Sequence, residues 1–238
     1  MLKKHFIELA MAVLMLVCFY ILSWEAAETA GRLIDVSGNI KADQVILVDA
    51  GHGGVDSGMV GIGGLKEKGI NLDIAMKLKT ILEKKGLAVV MTREEDKGLY
   101  ENGTKNMKAQ DLQNRIEQIR KYEPVLSVSI HQNSYEDPEI HGAQVFYYSH
   151  SREGEAVAKI LQESLQEIDP ENHRQAKANE TYYLLRRTKV PTVIVECGFL
   201  TNPEEAEKLS GEEYQEQVAE AVAKGIAKCL EYLNEYGN

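Results

Sequence analysis

Val45-Ile46-Leu47-Val48-Asp49-Ala50-Gly51-His52-Gly53-Gly54 decides the fold: a short, β-branched apolar run breaks into a glycine-rich loop that carries a histidine. An apolar run of this length, bounded by glycine, reads as a strand buried on both faces, as in a parallel sheet. Glycines remain dense to Gly64, so the loop uses backbone angles that other residues avoid. Beyond it, Leu72, Ala75, Met76, Leu78 and Leu82 recur at helical spacing over residues 66–85. Gly86 is placed to stop that helix.

The same alternation continues along the chain. Strand-like runs occupy 87–92, 125–130, 142–148 and 192–195. Helical patterns occupy 108–121, with Leu112, Ile116 and Ile119 inward, and 152–168, 203–209 and 212–235. Tyr182–Leu185 is too short to assign. Strands alternating with helices predict an α/β fold: a single three-layer domain with a twisted, mostly parallel sheet flanked by helices. His52, His131 and Glu196 each fall at or just past the carboxyl end of an apolar strand. In open α/β sheets that edge binds ligands, so three distant segments are expected to converge there.

The chain has 238 residues, 44% hydrophobic, with a formal net charge of −10. That is enough apolar material for one buried core. The negative balance argues against nucleic acid as a partner, because phosphate binding wants a basic face. Three cysteines (Cys18, Cys197, Cys229) do not make a disulfide framework and have no zinc-type pair spacing. They read as apolar fillers. Lys3 and Lys4 precede an apolar run over 9–22, the order of a signal peptide or short membrane anchor, assigned to residues 1–24. Residues 25–43 read as a linker, and the globular domain covers 44–238. Either version of the leader sends that domain across the cytoplasmic membrane, and an uncleaved one tethers it there.

Two His and one Glu make a zinc site that leaves a fourth position for water, and a further Glu beside it suits amide hydrolysis. Each residue also has a plainer reading. His52 could cap backbone groups in its loop, with Asp49 or Asp56 orienting its ring. Glu67 begins the helix, where a carboxylate simply complements the dipole. His131 opens on the expected cleft, and Asn133 either touches substrate or shapes the loop. Glu196 ends an apolar run, where a carboxylate must be paired or stand near a cation. Arg186 or another base is the partner to consider, and general-base catalysis is the functional alternative. His141, His150 and His173 read as surface residues.

Together the motifs Asp49–Gly58, Gly63–Lys68, Thr92-Arg93, Ser129–Asn133 and Val195–Asn202 resemble those of the zinc-dependent N-acetylmuramoyl-L-alanine amidases of type 3. The likeness runs from about Val45 to Leu233. Departures are mild: Ala50 stands where Pro is usual, with Gln132, Cys197 and Thr201 as further differences. The resemblance implies one Zn2+ per chain held by His52, Glu67 and His131, with Glu196 as catalytic base and Asn133 as a candidate substrate contact. Its implied substrate is the amide joining the lactyl group of N-acetylmuramic acid to the L-alanine of the peptidoglycan stem peptide.

Glu101–Lys105, Asp111-Leu112, Arg115, Gly142–Gln144 and Phe146–Tyr148 further resemble the spore-cortex, germination-specific members of that family. This implies action in the spore cortex on the forespore side, an accessory activating lipoprotein, and a downstream peptidoglycan deacetylase leading to muramic-δ-lactam. Arg186 and Arg187 resemble a family segment near the cleft, and either a stem-peptide carboxylate or a structural ion pair would account for them. Two rival readings are a zinc peptidase cutting within the stem peptide and a silent wall-binding or regulatory protein.

Overall fold

The computed structural model describes Met15 and residues 44–101 and 103–237. The leader expected over 1–24 (apart from Met15), Cys18 within it, the linker over 25–43, and Asn102 lie outside the described residues.

The elements follow the alternation expected from the sequence: β1 (Val45–Ala50), α1 (Glu67–Lys84), β2 (Ala88–Met91), α2 (Met107–Tyr122), β3 (Leu126–Asn133), β4 (Gln144–Tyr148), α3 (Arg152–Gln166), β5 (Lys177–Asn179), α4 (Tyr183–Arg187), β6 (Thr192–Phe199), α5 (Pro203–Ser210) and α6 (Glu212–Tyr236). They build one six-stranded sheet in the order β2-β1-β3-β6-β4-β5. All neighbours are parallel except β4 and β6, which run antiparallel. The central strands β1, β3 and β6 are almost wholly buried because helices cover both faces. On one face α1, α3 and α6 pack together, and on the other α2 and α4 cover β1, β4 and β6. Leu47, Ile116, Ile119 and Leu184 form a core cluster on the α2–α4 side.

Three departures from the sequence reading have physical causes. First, β3 and β6 run longer than their apolar stretches. Their pairing continues through His131↔Glu196 and Asn133↔Phe199, with a register shift between. His131 and Glu196 therefore sit inside strands rather than after them. Second, β5 was not expected. Its residues Lys177-Ala178-Asn179 lie at the sheet edge and bury little, so they carry no apolar period. Third, α1 is rotated from its expected face. Leu72 and Met76 are only half-buried, while Glu67, Ile70, Asn71, Ile74, Ala75, Leu78 and Leu82 face inward. Two members of that stripe are polar, so hydrophobic spacing alone placed it wrongly.

Helix starts follow side-chain chemistry. Ser151 Oγ accepts from Gly154 N at 2.9 Å at the head of α3. Asn202 Oδ1 accepts from Glu205 N at 3.0 Å at the head of α5, with Pro203 in the first turn. Cys197 and Cys229 are buried and unpaired. Among the described residues no helix is long and apolar enough to cross a membrane.

Candidate active site

Three adjacent strands, β1, β3 and β6, deliver the site. The loop after β1 carries His52, β3 carries His131, β6 carries Glu196, and the first turn of α1 brings in Glu67. All four line a cleft of about 680 Å³.

His52 adopts φ 61°, a left-handed conformation uncommon outside glycine. Buried arginines grip the segment that holds it there. Arg115 donates to Ala50 O at 2.8 Å and His52 O at 2.6 Å. Arg93 donates to Ala50 O at 2.9 Å and to Gly51 O at 2.9 Å. Arg115 is in turn paired with Asp49, and with Asp111 at 2.5 Å. Asp49 also accepts from Ser129 Oγ at 2.5 Å and Thr92 Oγ1 at 2.7 Å. Burial opposes ionisation of Asp49, but Arg115 and the two hydroxyls outweigh it and hold its carboxyl at about 2. Asp49 thus braces the floor beneath the loop. The orienter of His52 is Asp56, whose Oδ2 lies 2.9 Å from Nδ1.

Glu67 is almost fully buried at the cleft base. Its Oε2 accepts from Met59 N at 2.8 Å. Its Oε1 lies 3.2 Å from His52 Nε2 and 2.9 Å from His131 Nδ1. Burial raises the carboxyl, yet hydrogen bonds and charge from His131 and His52 dominate and hold it well below the usual carboxylate range. Burial likewise opposes protonation of His52, and Glu67 and Asp56 together still raise it.

These contacts make a chemical statement. With Asp56 accepting the proton on Nδ1, a neutral His52 ring turns a lone pair on Nε2 towards a carboxylate oxygen. That meeting is repulsive unless the ring is protonated or a cation lies between. His52, Glu67 and His131 form a group able to hold a metal ion, with donor atoms within 4.8 Å of one another. Zinc bonds of about 2.0–2.1 Å imply tetrahedral donor separations of roughly 3.3 Å, close to the two His–Glu67 distances found here. The donor set therefore fits zinc.

Glu196 is buried, and its Oε2 has no hydrogen-bond partner. Burial pushes its carboxyl up to about 7, Glu67 pushes the same way, and His131 and His52 pull it back. Arg186 does not rescue it: that side chain is exposed and makes no ion pair with Glu196. Arg187 is exposed too and stacks over Tyr183 at 5.5 Å. Tyr182 hydrogen-bonds the carboxyl, but a buried carboxylate with no ion-pair partner and one orphan oxygen is costly as structure and fits a proton-transfer role.

Asn133 lines the cleft and also shapes its own turn, with Oδ1 accepting from Ser134 N at 2.8 Å. His141, His150 and His173 are exposed, as expected. Burial raises the Cys197 thiol far above its ordinary value, so it is no nucleophile. Asn71, one helical turn after Glu67, was missed by the sequence reading. Its signal was a polar residue in the apolar stripe of α1.

The chain is similar to known proteins. Residues 46–228 match the family model described as N-acetylmuramoyl-L-alanine amidase. The germination-specific N-acetylmuramoyl-L-alanine amidase of Bacillus subtilis (strain 168) is 40% identical over 198 residues, 82% of either chain. The amidase AmiA of Escherichia coli (strain K12) is 27% identical over 235 residues, covering 80% of this chain and 78% of AmiA. Among solved structures, the CwlD amidase from Clostridioides difficile, in complex with the GerS lipoprotein, matches with a TM-score of 0.77 and 38% identity, covering 79% of this chain and 99% of that one. The chain thus belongs to the N-acetylmuramoyl-L-alanine amidase family, with its resemblance lying towards the CwlD-like, germination-specific members.

Proposed function

We propose that this amidase is zinc-dependent, that His52, Glu67 and His131 hold the metal, and that Glu196 is the catalytic base. The observation that carries the reading is the convergence of two imidazole nitrogens on one carboxylate oxygen. Glu196, a buried carboxylate with one oxygen left without a hydrogen-bond partner, lines the same cleft.

When bound, zinc supplies Lewis acidity, polarising an amide carbonyl and acidifying water. The protein supplies position and proton transfer. Asp56 fixes the His52 ring, leaving Nε2 free to act as donor. Glu196 takes a proton from the attacking water and returns it to the alanine nitrogen as the lactyl–alanine bond breaks. Burial raises this carboxyl's affinity for a proton, the direction that favours taking one from water. Tyr182, Tyr183, Met59 and Lys108 line the cleft, with Asn133 at hand for the substrate.

The resemblance to germination-specific relatives supports the spore cortex as the place of action, and a peptidoglycan deacetylase as the next enzyme on the way to muramic-δ-lactam. The complex of the C. difficile relative with a lipoprotein supports a similar accessory partner here. Action on peptidoglycan places the domain over 44–238 outside the cytoplasmic membrane. Residues 1–24 then serve as signal peptide or anchor and 25–43 as linker.

The test is mass spectrometry of peptidoglycan digested by the purified chain, with zinc supplied or removed by chelation. Free stem peptides beginning with alanine, together with peptide-free glycan, and only when zinc is present, are the expected products. Cleavage inside the peptide would replace this reading with a peptidase, and undiminished activity after complete metal removal would overturn the zinc assignment.

A further inference from the structure

We propose that Asn71 is the positioning residue of the metal centre: its carboxamide fixes the Glu67 carboxylate and ties it to both histidine segments, so that it sets the affinity for zinc. The inference rests on the reading of His52, Glu67 and His131 as ligands, and it assigns a role to a residue outside that set.

Asn71 follows Glu67 by four residues on α1, so the two side chains stack on one helix face. It is fully buried. Its Nδ2 donates to Gly51 O at 3.2 Å, the residue before His52, and to Glu67 Oε1 at 3.3 Å. Its Oδ1 accepts from Gln132 Nε2 at 3.1 Å, the residue after His131. One side chain therefore joins the three separate chain segments that carry the donors. Both its amide protons and its carbonyl are engaged, which fixes the sense of the carboxamide.

The contact with Glu67 completes a cradle. Met59 N holds Oε2, while Gln132 N at 3.2 Å and Asn71 Nδ2 approach Oε1 from the protein side. The remaining directions of Oε1 are those facing His52 and His131. Stability alone does not explain an asparagine here. Its neighbours on the inward face are Ile70, Ile74 and Ala75, and asparagine is a poorer helix former than leucine. An apolar residue would continue the stripe. Gln132 shows the same bias, being buried with its Oε1 left without a partner while its Nε2 serves Asn71. Partners of this kind that orient metal ligands typically change metal affinity by about 10–100-fold when removed.

The experiment measures zinc affinity by competition with a chromophoric chelator, on folded protein well below the metal-free melting midpoint. The full chain is compared with Asn71→Leu, Gln132→Met and Leu82→Ala. Asn71→Leu keeps the number and branching of side-chain heavy atoms while removing every side-chain hydrogen bond, and should weaken zinc binding about 10–100-fold. Gln132→Met removes only the brace on Oδ1 and should weaken binding by less. Leu82→Ala lies on the same buried face and should lower the melting midpoint without changing zinc affinity in the folded protein. If Asn71→Leu fails to fold, Gln132→Met carries the test, and unchanged affinity there overturns the proposal. Wild-type affinity in folded Asn71→Leu also overturns it. A wild-type chain that binds no zinc defeats the ligand assignment itself, which the His131→Ala protein identifies by behaving identically.

Discussion

His131 and Glu196 are register partners on the adjacent parallel strands β3 and β6. Partners across a ladder project from the same side of a sheet, so one residue step along either strand would separate them. The two roles are nonetheless separable by mutation. Glu196→Ala removes no candidate donor and should retain one zinc while lowering turnover by at least about 10²–10⁴-fold. His131→Ala should lose the metal. Metal content by atomic emission, measured beside product formation, checks both. Full activity in Glu196→Ala, or full zinc occupancy in His131→Ala, would reverse the assignments.

Glu196 should also make the metal-free protein sensitive to alkali. Its carboxyl titrates at about 7 in the fold against an ordinary 4.5. The folded state therefore keeps a proton that the unfolded chain releases. That contribution is complete below about pH 4.5 and is lost as pH rises through 7, amounting to roughly 3 kcal/mol at most. Denaturant unfolding of chelator-treated Glu196→Gln should show a stability gain over wild type that grows between pH 5 and 8 (about the span of those two pKa values). A difference that stays constant across that range would contradict the burial argument.

Asp49 should act in the opposite direction. Its carboxyl is depressed from 3.8 to about 2 by Arg115, Ser129 and Thr92 against the cost of burial. Its stabilisation is present above 3.8 and disappears as pH falls through 2. Asp49→Asn should therefore flatten the acid limb of the stability profile. Arg115→Met should be worse than Asp49→Asn, about 3–5 kcal/mol, because it strands the buried charge of Asp49. Acid unfolding followed by circular dichroism would expose a wrong ranking.

Gly51 tests the space around the candidate ligands. A Cβ there would lie 2.3 Å from His131 Nε2 and Cε1. Its own backbone is not in the left-handed region, so alanine is disfavoured by the imidazole alone. Gly51→Ala should push the His131 ring out of place and lower zinc affinity and turnover together. Unaltered zinc binding in the folded variant would mean that the ring is not held where the cleft needs it.

The sequence by itself determined the fold class and singled out the four candidate side chains, Glu67 through the family resemblance. Short β-branched runs ending in glycine or in a polar residue are readable because a buried parallel strand has little compositional freedom, and the ends of those apolar runs pick out His52, His131 and Glu196, although β3 and β6 continue past the last two. Only the tertiary structure decided how those residues meet. It chose Asp56 over Asp49 as the His52 orienter and left Glu196 without Arg186. It also turned the polar pair Glu67 and Asn71 inward on α1. Those outcomes depend on contacts between segments tens of residues apart, such as Arg115 with His52 O and Gln132 with Asn71. Local periodicity reports which face of an element is apolar. It carries no information on which buried polar groups satisfy one another, because that pairing is fixed when the strands align and water is excluded.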